Sequence, residues 1–315
     1  MKSEVKRFLI KLTIFSLPIL LVLFFIEFKL SRIPNSYNYQ RRNLEQQFKD
    51  IKVLVLGNSE SFDGINPTFF SCTGFNLSNS SQDLDHDIKL TQKYLTRLPN
   101  LRSVFITVSY FSLGYKSTNS EESWRNYFYY RFWGIKSSDV NPLDPKAFSY
   151  IALYTPEKTK DYIQKRFNVN LVDNIAPNGW HDNTTEKSDI LDDFHGQQRV
   201  DIHYKLMTPK DWQQNIKELD MFVKQLSTRN VRPVFITPPV YITYSNHVDP
   251  KVLESIHNEI KNICEKYPCK YYNYFNDQRF SLEDFKDNNH LNAGGAEKFS
   301  KILNEEVVSK VCQNE

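Results

Sequence analysis

Residues 53–59 read Val53-Leu54-Val55-Leu56-Gly57-Asn58-Ser59, a short apolar run followed by three residues that are common in turns. A run that is apolar on both faces is typical of a strand buried in a parallel sheet. In open α/β sheets, ligands bind outside the carboxyl ends of the strands. The run therefore predicts a buried first strand, and it places the hydroxyl of Ser59 at the edge where a substrate would bind.

Further apolar runs alternate with amphipathic stretches along the rest of the chain. The predicted strands lie over 51–57, 73–78, 102–109, 231–237 and 270–275. The stretches between them repeat apolar residues at the spacing of a helix face, as in Leu253, Ile256, Ile260 and Ile263. This alternation predicts an α/β fold, a three-layer α/β/α sandwich with a mainly parallel five-stranded sheet.

After the last predicted strand the sequence reads Asp287-Asn288-Asn289-His290-Leu291-Asn292. A carboxylate three residues before a histidine lies on the same side of one turn, so Asp287 can hold the imidazole ring of His290. A serine nucleophile needs a base that a third group orients. We therefore predict Ser59 as nucleophile, His290 as general base and then general acid, and Asp287 as the orienting carboxylate. The alternative is a serine in an ordinary turn and a helix-capping Asp287 beside a surface histidine.

The order of these motifs, at the two ends of an α/β pattern, resembles that of the SGNH (GDSL-like) hydrolase superfamily. Its members carry the nucleophile in Gly-Asp-Ser or Gly-Asn-Ser after the first strand and Asp-x-x-His near the C-terminus. Here Gly57-Asn58-Ser59 is followed by Gly64-Ile65, and His290 is followed by Leu-Asn. This form looks most like the membrane-anchored envelope branch, which includes alginate O-acetyltransferases and the D-alanyl transfer proteins of teichoic acid synthesis.

The resemblance also implies hydrogen-bond donors for an oxyanion, and the backbone N–H of Ser59 is the first of them. The family places a glycine after the second strand, where this chain has Ser81. It places an asparagine after the third strand, where this chain has Ser109-Tyr110. We therefore expect Ser59, Ser81 and Ser109 as oxyanion donors, with the hydroxyl of Tyr110 as a substitute for that of Ser109. Ser61 competes as a nucleophile, but only Ser59 follows Gly-Asn.

The composition argues against several other classes of protein. A net charge of +3 gives no basic character that would point to nucleic acid. We find no glycine-rich phosphate loop, no dinucleotide fingerprint and no Cys/His metal spacing, so neither a cofactor nor a metal is expected. The four cysteines could form two disulfides, Cys264 with Cys269 and Cys72 with Cys312, or they could be four buried thiols.

The N-terminal region predicts a membrane segment. Residues 12–26 carry no charge, and with their apolar neighbours the span over 8–30 approaches the ~20 residues that a bilayer requires. No small-x-small cleavage site follows, so an uncleaved anchor is favoured over a signal peptide. Positive charges flank the span almost equally, but a short basic tail favours a cytoplasmic N-terminus. The expected location is the inner (cytoplasmic) membrane, with a single pass and the bulk of the chain facing the periplasm or the exterior.

These observations divide the chain into three parts. Residues 1–30 form a cytoplasmic tail and transmembrane anchor, residues 31–50 a stalk leading into a short helix, and residues 51–315 an SGNH-like catalytic domain. An aromatic-rich insertion is expected at about 112–200. Its ring-dense stretch, Trp124 to Trp133, could stack on sugars or lie at a lipid surface, but a packed helix is the favoured interpretation.

The leading hypothesis is transfer of an acyl group, most simply acetyl, to a cell-envelope polysaccharide through an acyl-enzyme on Ser59, or the matching ester hydrolysis. Transfer requires an acyl donor, and this chain has only one membrane span, so a separate multi-span membrane protein would have to supply the acyl group. The alternatives are a non-catalytic carbohydrate-binding or assembly protein that retains the fold, and an anchored lipase or esterase with an apolar acyl pocket.

Overall fold

The computed structural model describes residues 2–172, 174–184 and 189–313. The predicted insertion over 112–200 therefore falls partly outside the described residues, at 173 and at 185–188. Five strands form one sheet: β1 Val53–Leu56, β2 Gly74–Asn76, β3 Ser103–Thr107, β4 Arg232–Thr237 and β5 Lys270–Asn273. The strand order is β2-β1-β3-β4-β5 and every neighbouring pair is parallel. The predicted α/β fold and its five strands are confirmed.

Helices precede, separate and follow these strands. In chain order they are α1 Lys2–Leu30, α2 Ser36–Gln47, α3 Ser59–Gly64, α4 Leu84–Tyr94, α5 Arg125–Phe128, α6 Pro145–Phe148, α7 Tyr150–Tyr154, α8 Pro156–Gln164, α9 Asp193–Leu206, α10 Pro209–Thr228, α11 Ile242–Ser245, α12 Pro250–Lys266, α13 Ala293–Leu303 and α14 Ser309–Cys312. Thr208 caps α10, because its hydroxyl accepts a hydrogen bond from the N–H of Asp211 at 3.1 Å, and Pro209 is the first helical residue.

The sheet separates two layers of buried apolar side chains. Along β1, Leu54 and Leu56 pack with the residues of α4, α10 and α12, whereas Val53 and Val55 pack with those of α13. All four side chains are fully buried. Successive side chains of a strand point to opposite faces, so a run without polar residues requires cover on both sides. This arrangement is the predicted sandwich of three layers.

The order of the strands defines one special position. β1 has β2 on one side and β3 on the other, so the chain leaves β1 for one side of the sheet and later returns to the opposite side. In an open parallel sheet, the crevice at such a reversal lies outside the carboxyl end of the strand. Ser59 follows β1 and therefore lies at this crevice.

Residues 31–50 do not form the predicted stalk, because they are packed against the domain. Leu30 and Leu44 are fully buried, and Tyr37 is 4% exposed. The amide of Gln40 donates to the carbonyl of Ser78 at 2.9 Å. Only the face of α2 that carries Tyr37, Gln40 and Leu44 is buried. The polar composition that suggested a stalk belongs to the remaining, solvent-facing part of this helix.

The ring-dense stretch is a packed helical segment, as the favoured interpretation had it. It runs through α5 into a π-helical turn, Tyr129–Trp133. Tyr129, Phe132 and Trp133 are buried, and the rings of Tyr129 and Tyr37 of α2 meet edge to face with their centroids 5.0 Å apart. These rings therefore join α2 and the insertion to the rest of the domain.

Two disulfides are present, and they resolve the alternatives left open by the sequence. Cys72 is bonded to Cys312 across 240 residues of chain, and Cys264 to Cys269 across five. The first bond ties the segment before β2 to α14 at the end of the described chain. The second closes a short loop between α12 and β5.

We expect the two disulfides to differ in their effect on stability. Chain entropy predicts about 5 kcal/mol for the long loop and about 2 kcal/mol for the short one, with measured values commonly lower. Replacing Cys72 and Cys312 by alanine should therefore lower the melting temperature more than replacing Cys264 and Cys269. Circular dichroism of the two double variants in the same detergent measures the difference. Equal melting temperatures would contradict the entropic account.

Candidate active site

The turn that carries Ser59 is fixed by its two preceding residues. Gly57 has φ 141°, and a Cβ at this position would lie 2.6 Å from the Cβ of Thr107, so a side chain is excluded. Asn58 caps α3, because its Oδ1 accepts a hydrogen bond from the N–H of Glu60 at 2.9 Å. Its Nδ2 donates to the hydroxyl of Ser109 at 2.9 Å. The side chain of Asn58 therefore shapes this turn.

The turn that carries His290 is held by Asp287. The carboxylate Oδ1 of Asp287 accepts hydrogen bonds from the N–H groups of Asn289 at 2.9 Å and His290 at 2.8 Å. Its Oδ2 lies 2.8 Å from Nδ1 of the His290 ring. A proton on Nδ1 is therefore directed at the carboxylate, and Nε2 is left as an acceptor.

The structure brings the three predicted residues together. The hydroxyl oxygen of Ser59 lies 2.8 Å from Nε2 of His290, although 231 residues separate them in the chain. Ser59 and His290 are both partly exposed, whereas Asp287 is buried. This geometry allows Ser59, a residue that is partly exposed, to give its proton to His290.

The charges around His290 favour its role as the acceptor of the Ser59 proton. Burial by itself would disfavour a charged imidazole, but the adjacent Asp287 carboxylate outweighs it and raises the pKa of His290 above the ordinary value. Burial would likewise raise the pKa of Asp287, but the His290 ring and the backbone donor of Asn289 hold it well below the usual range. Asp287 is therefore ionised at neutral pH and stabilises the imidazolium that forms when a proton arrives.

The prediction of an oxyanion donor after β3 is wrong for both of its residues. Ser109 is 1% exposed, and its hydroxyl donates to Oε2 of Glu60 at 2.5 Å. The hydroxyl of Tyr110 is also buried and accepts a hydrogen bond from the N–H of Asp249 at 3.1 Å. Each hydroxyl thus serves a partner inside the protein and faces no substrate.

The two backbone donors remain predictions. Ser59 is the first residue of α3, and the first N–H groups of a helix have no carbonyl partner inside it. Ser81 has φ 54°, in the left-handed region where glycine is favoured. A glycine would adopt this backbone conformation more readily than the serine that this chain has there.

The sequence did not reveal a buried carboxyl group beside the nucleophile. Glu60 is 3% exposed, and besides Ser109 its carboxyl accepts a hydrogen bond from the Nδ2 of Asn289 at 3.1 Å. Burial raises the pKa of Glu60, although its hydrogen bond with Ser109 opposes the change. Glu60 therefore joins the turn of Ser59 to the turn of His290. No spacing in the sequence indicates this contact.

A second unpredicted group lies at the other end of α3. Asp63 binds Nδ1 of His181 at 2.7 Å and the ammonium of Lys286 at 3.0 Å. Burial would raise the pKa of Asp63, but the hydrogen bond with His181 and the nearby charges hold it below its usual value. The His181 ring also stacks on Phe62, with the centroids 4.9 Å apart. Because these partners come from distant parts of the chain, only the folded structure identifies them.

The chain contains a buried counterpart of the predicted triad. Nδ1 of His86 lies 2.7 Å from Asp83, and its Nε2 lies 3.1 Å from the hydroxyl of Ser137. His86 and Ser137 are at most 1% exposed. Solvent access therefore distinguishes Ser59 from Ser137. Among the described residues, no group of three or more His, Cys, Asp or Glu side chains is placed to hold a metal ion.

Comparison with known proteins gives a limited result. No family model and no curated protein matches this chain. A solved structure described as an acylhydrolase, from Bacteroides fragilis, is 9% identical with a TM-score of 0.42, over 87% of this chain and 95% of that one.

Two further solved structures show a similar likeness. One, described as a platelet activating factor from Streptococcus pneumonia, is 12% identical with a TM-score of 0.43, over 92% and 98% of the two chains. A GDSL-like lipase from Bacteroides thetaiotaomicron is 9% identical with a TM-score of 0.41, over 88% and 99%. Likeness at this level carries no information about activity or substrate.

The raised pKa of His290 predicts the pH dependence of Ser59 reactivity. Only the neutral ring can accept the serine proton, so the rate of labelling by a fluorophosphonate should rise with pH, with a midpoint above the ordinary histidine value of ~6.5. Asp287→Asn removes the main carboxylate charge that opposes the burial of the ring, so the midpoint should fall. The maximal rate should fall by roughly 10³–10⁴-fold. A rate independent of pH from about 5 to 8 would contradict this role of His290.

Proposed function

We propose that this chain is an SGNH-type serine enzyme that transfers an acyl group to, or hydrolyses an ester on, a cell-envelope polysaccharide. The observation that supports the proposal is the hydrogen-bonded series from Asp287 through His290 to a partly exposed Ser59. Its position at the carboxyl end of β1 adds to this, because substrates of open parallel sheets bind there. A non-catalytic protein would need neither the alignment of these groups nor the exposure of the serine.

In the proposed reaction, Oγ of Ser59 attacks the carbonyl carbon of the ester while its proton moves to Nε2 of His290. The carbonyl oxygen becomes an oxyanion, for which the N–H groups of Ser59 and Ser81 are the proposed donors. The imidazolium then gives its proton to the leaving oxygen, the ester bond breaks and the acyl group remains on Ser59. Throughout these steps Asp287 stays ionised and holds the ring in place.

The second half of the proposed reaction decides between transfer and hydrolysis. His290 removes a proton from the incoming hydroxyl, whose oxygen attacks the acyl carbon, and Ser59 leaves with the proton returned from His290. A sugar hydroxyl gives an acylated polysaccharide and water gives a free acid. Acetyl is the simplest acyl group for this site. Transfer requires a donor, which we propose to be a separate multi-span membrane protein, because one candidate span is present among the described residues.

The proposed location is a membrane, with α1 as a retained anchor. Helix α1 is long and apolar enough to cross a bilayer, and the apolar part is not covered by protein. A cleaved signal sequence would have the same composition. However, Leu30 and Ile33 are buried in the domain, and Glu27 receives hydrogen bonds from residues 149–151. Loss of α1 would expose these partners, which supports a retained anchor.

The nucleophile is tested by labelling the purified full chain with a fluorophosphonate. The wild-type protein should hydrolyse a small acetyl ester and carry the label at Ser59, and Ser59→Ala should abolish both. Ser137→Ala is the matched control, because Ser137 has a histidine and an aspartate of its own, His86 and Asp83, in the same arrangement but is buried. The Ser137→Ala variant should retain the label. Ser61→Ala should retain it too, because the hydroxyl of Ser61 is buried against Ser78. A label that persists in Ser59→Ala would overturn the proposal.

The orientation of the anchor is tested with a reporter enzyme. Alkaline phosphatase fused to the C-terminus should be active, because its disulfides form only in an oxidising compartment. The disulfide between Cys72 and Cys312 agrees with the same side of the membrane. A fusion that is inactive, together with an active cytoplasmic reporter at the same position, would reverse the proposed orientation.

A further inference from the structure

The end of the anchor is fixed to the domain at a defined place. The carboxylate of Glu27 accepts hydrogen bonds from the hydroxyl of Ser149, from the N–H of Tyr150 at 2.7 Å and from the N–H of Ile151 at 3.3 Å. Leu30, one turn further on, is fully buried. Helix α1 therefore does not end in a free linker, and the part of the domain around α6, α7 and α8 lies beside it.

This side of the domain exposes large apolar side chains. Phe148, directly before Ser149, is 61% exposed, and Leu143 is 84% exposed. Ile163 of α8 is 42% exposed, and the ring of Phe167 meets that of Phe25 in the anchor edge to face at 6.2 Å. We refer to Leu143, Phe148, Ile163 and Phe167 as the anchor-side surface. Of these, Phe148 adjoins Ser149, which contacts Glu27, and Phe167 contacts Phe25, so both lie beside the anchor. Large exposed apolar groups mark an interaction site.

The strained backbone after α8 directs one side chain of this surface, Phe167, towards the anchor. Arg166 has φ 52° and Phe167 has φ 58°, a left-handed conformation that side chains of this size rarely adopt. Their N–H groups are held by the carbonyls of Ile163 at 2.9 Å and Tyr162 at 2.7 Å. Strain of this kind persists where surrounding contacts impose it. Here it turns the ring of Phe167 onto the anchor.

Cationic side chains border the same region. The guanidinium of Arg32 lies 4.3 Å from the ring centre of Phe28, and the ammonium of Lys29 lies 5.6 Å from that of Phe25. Lys146 is exposed on α6, two residues before Phe148. Aromatic rings with lysine and arginine are typical of the boundary between the hydrocarbon and headgroup regions of a bilayer.

We propose that the anchor-side surface lies in the headgroup region of the bilayer that α1 crosses. The occupant is lipid, because α1 brings this surface to the membrane and its apolar rings with bordering cations match the chemistry of that boundary. The inference rests on the proposed function only in taking α1 as a retained anchor. It does not depend on catalysis.

A consequence concerns the position of Ser59. The start of α2 lies near the carboxyl edge of the sheet, where Gln40 contacts the carbonyl of Ser78 just after β2. The chain after α2 lies at the opposite edge, where the side chain of Asn100, before β3, donates to the carbonyl of Lys49 at 2.6 Å. The anchor therefore joins the domain at the edge that carries Ser59, so lipid contact at the anchor-side surface holds this edge close to the membrane.

The proposal is tested by fluorescence quenching of the full chain in nanodiscs that contain brominated phosphatidylcholine. Phe148→Trp places an indole on the anchor-side surface. Met221→Trp is the matched control, because Met221 is 54% exposed on α10, in the half of that helix that leads towards the start of β4. The wild-type protein gives the background of the four native tryptophans. We expect lipid to quench roughly half of the fluorescence added by Phe148→Trp and little of that added by Met221→Trp.

Several outcomes distinguish the possible failures. If neither added tryptophan is quenched, or both are quenched equally, the proposed surface is wrong. An unquenched Phe148→Trp in discs that hold two chains would assign the surface to a second copy. Adding Leu143→Asp to Phe148→Trp should reduce the quenching, and no reduction would contradict a contact made by the surface as a whole. Extraction of the chain by alkaline carbonate would refute the anchor itself. Labelling of Ser59 tests catalysis separately, and circular dichroism confirms that each variant is folded.

Discussion

The two hydrogen bonds of the Asn58 side chain determine where the reactive groups of this protein lie. Its oxygen starts α3 at Ser59, and its nitrogen holds the hydroxyl of Ser109 at the end of β3. The proton of that hydroxyl is then directed at Glu60, which in turn contacts the turn of His290 through Asn289. An aspartate at position 58 could accept the first bond but could not donate the second. The side-chain amide thus connects the first strand, the third strand and the C-terminal motif.

Access to solvent gives the same local motif different uses. Asp-x-x-His occurs at Asp83, Asp192 and Asp287, and in each case the carboxylate accepts from the backbone N–H and lies within 2.9 Å of the ring of the histidine. The first pair is buried beneath the insertion, where His86 holds Ser137 and strengthens packing. The second is exposed at the start of α9 and has no serine partner among the described residues. The third alone lies beside a serine at the carboxyl edge of the sheet. The local spacing creates an oriented histidine, and the fold decides what it can touch.

This difference explains what the sequence could and could not predict. The strands could be predicted because each gives a local pattern of apolar residues. The contact between Ser59 and His290 could be predicted because both motifs follow strands, and binding sites lie at the carboxyl ends of strands. The position of α2 was not, because three residues on one face of a polar helix give no signal in composition. The role of Ser109 was mistaken for a similar reason. Its position after β3 was correct, but its hydroxyl is used by Glu60, a contact that depends on burial of a carboxyl group. His181 could not be found, since no motif and no strand end marks its contact with Asp63.

The carboxyl groups around His290 also determine how far the pKa of its ring is raised. Asp287 contacts the ring, and the charges of Asp63 and Glu60 act on it from α3, so a full set of three carboxylates would hold the imidazole in its charged form. A ring that is always charged cannot accept the proton of Ser59. Burial favours the neutral form of Glu60, while the ammonium of Lys286 and the hydrogen bond with His181 offset the charge of Asp63. Asp287 is therefore the dominant negative charge at the ring, so the imidazolium is stabilised after proton transfer without being fixed beforehand. If Glu60 were exposed to water and ionised, its charge would raise the pKa of His290 further and favour the charged ring. The burial of Glu60 therefore matters as much as the presence of the triad.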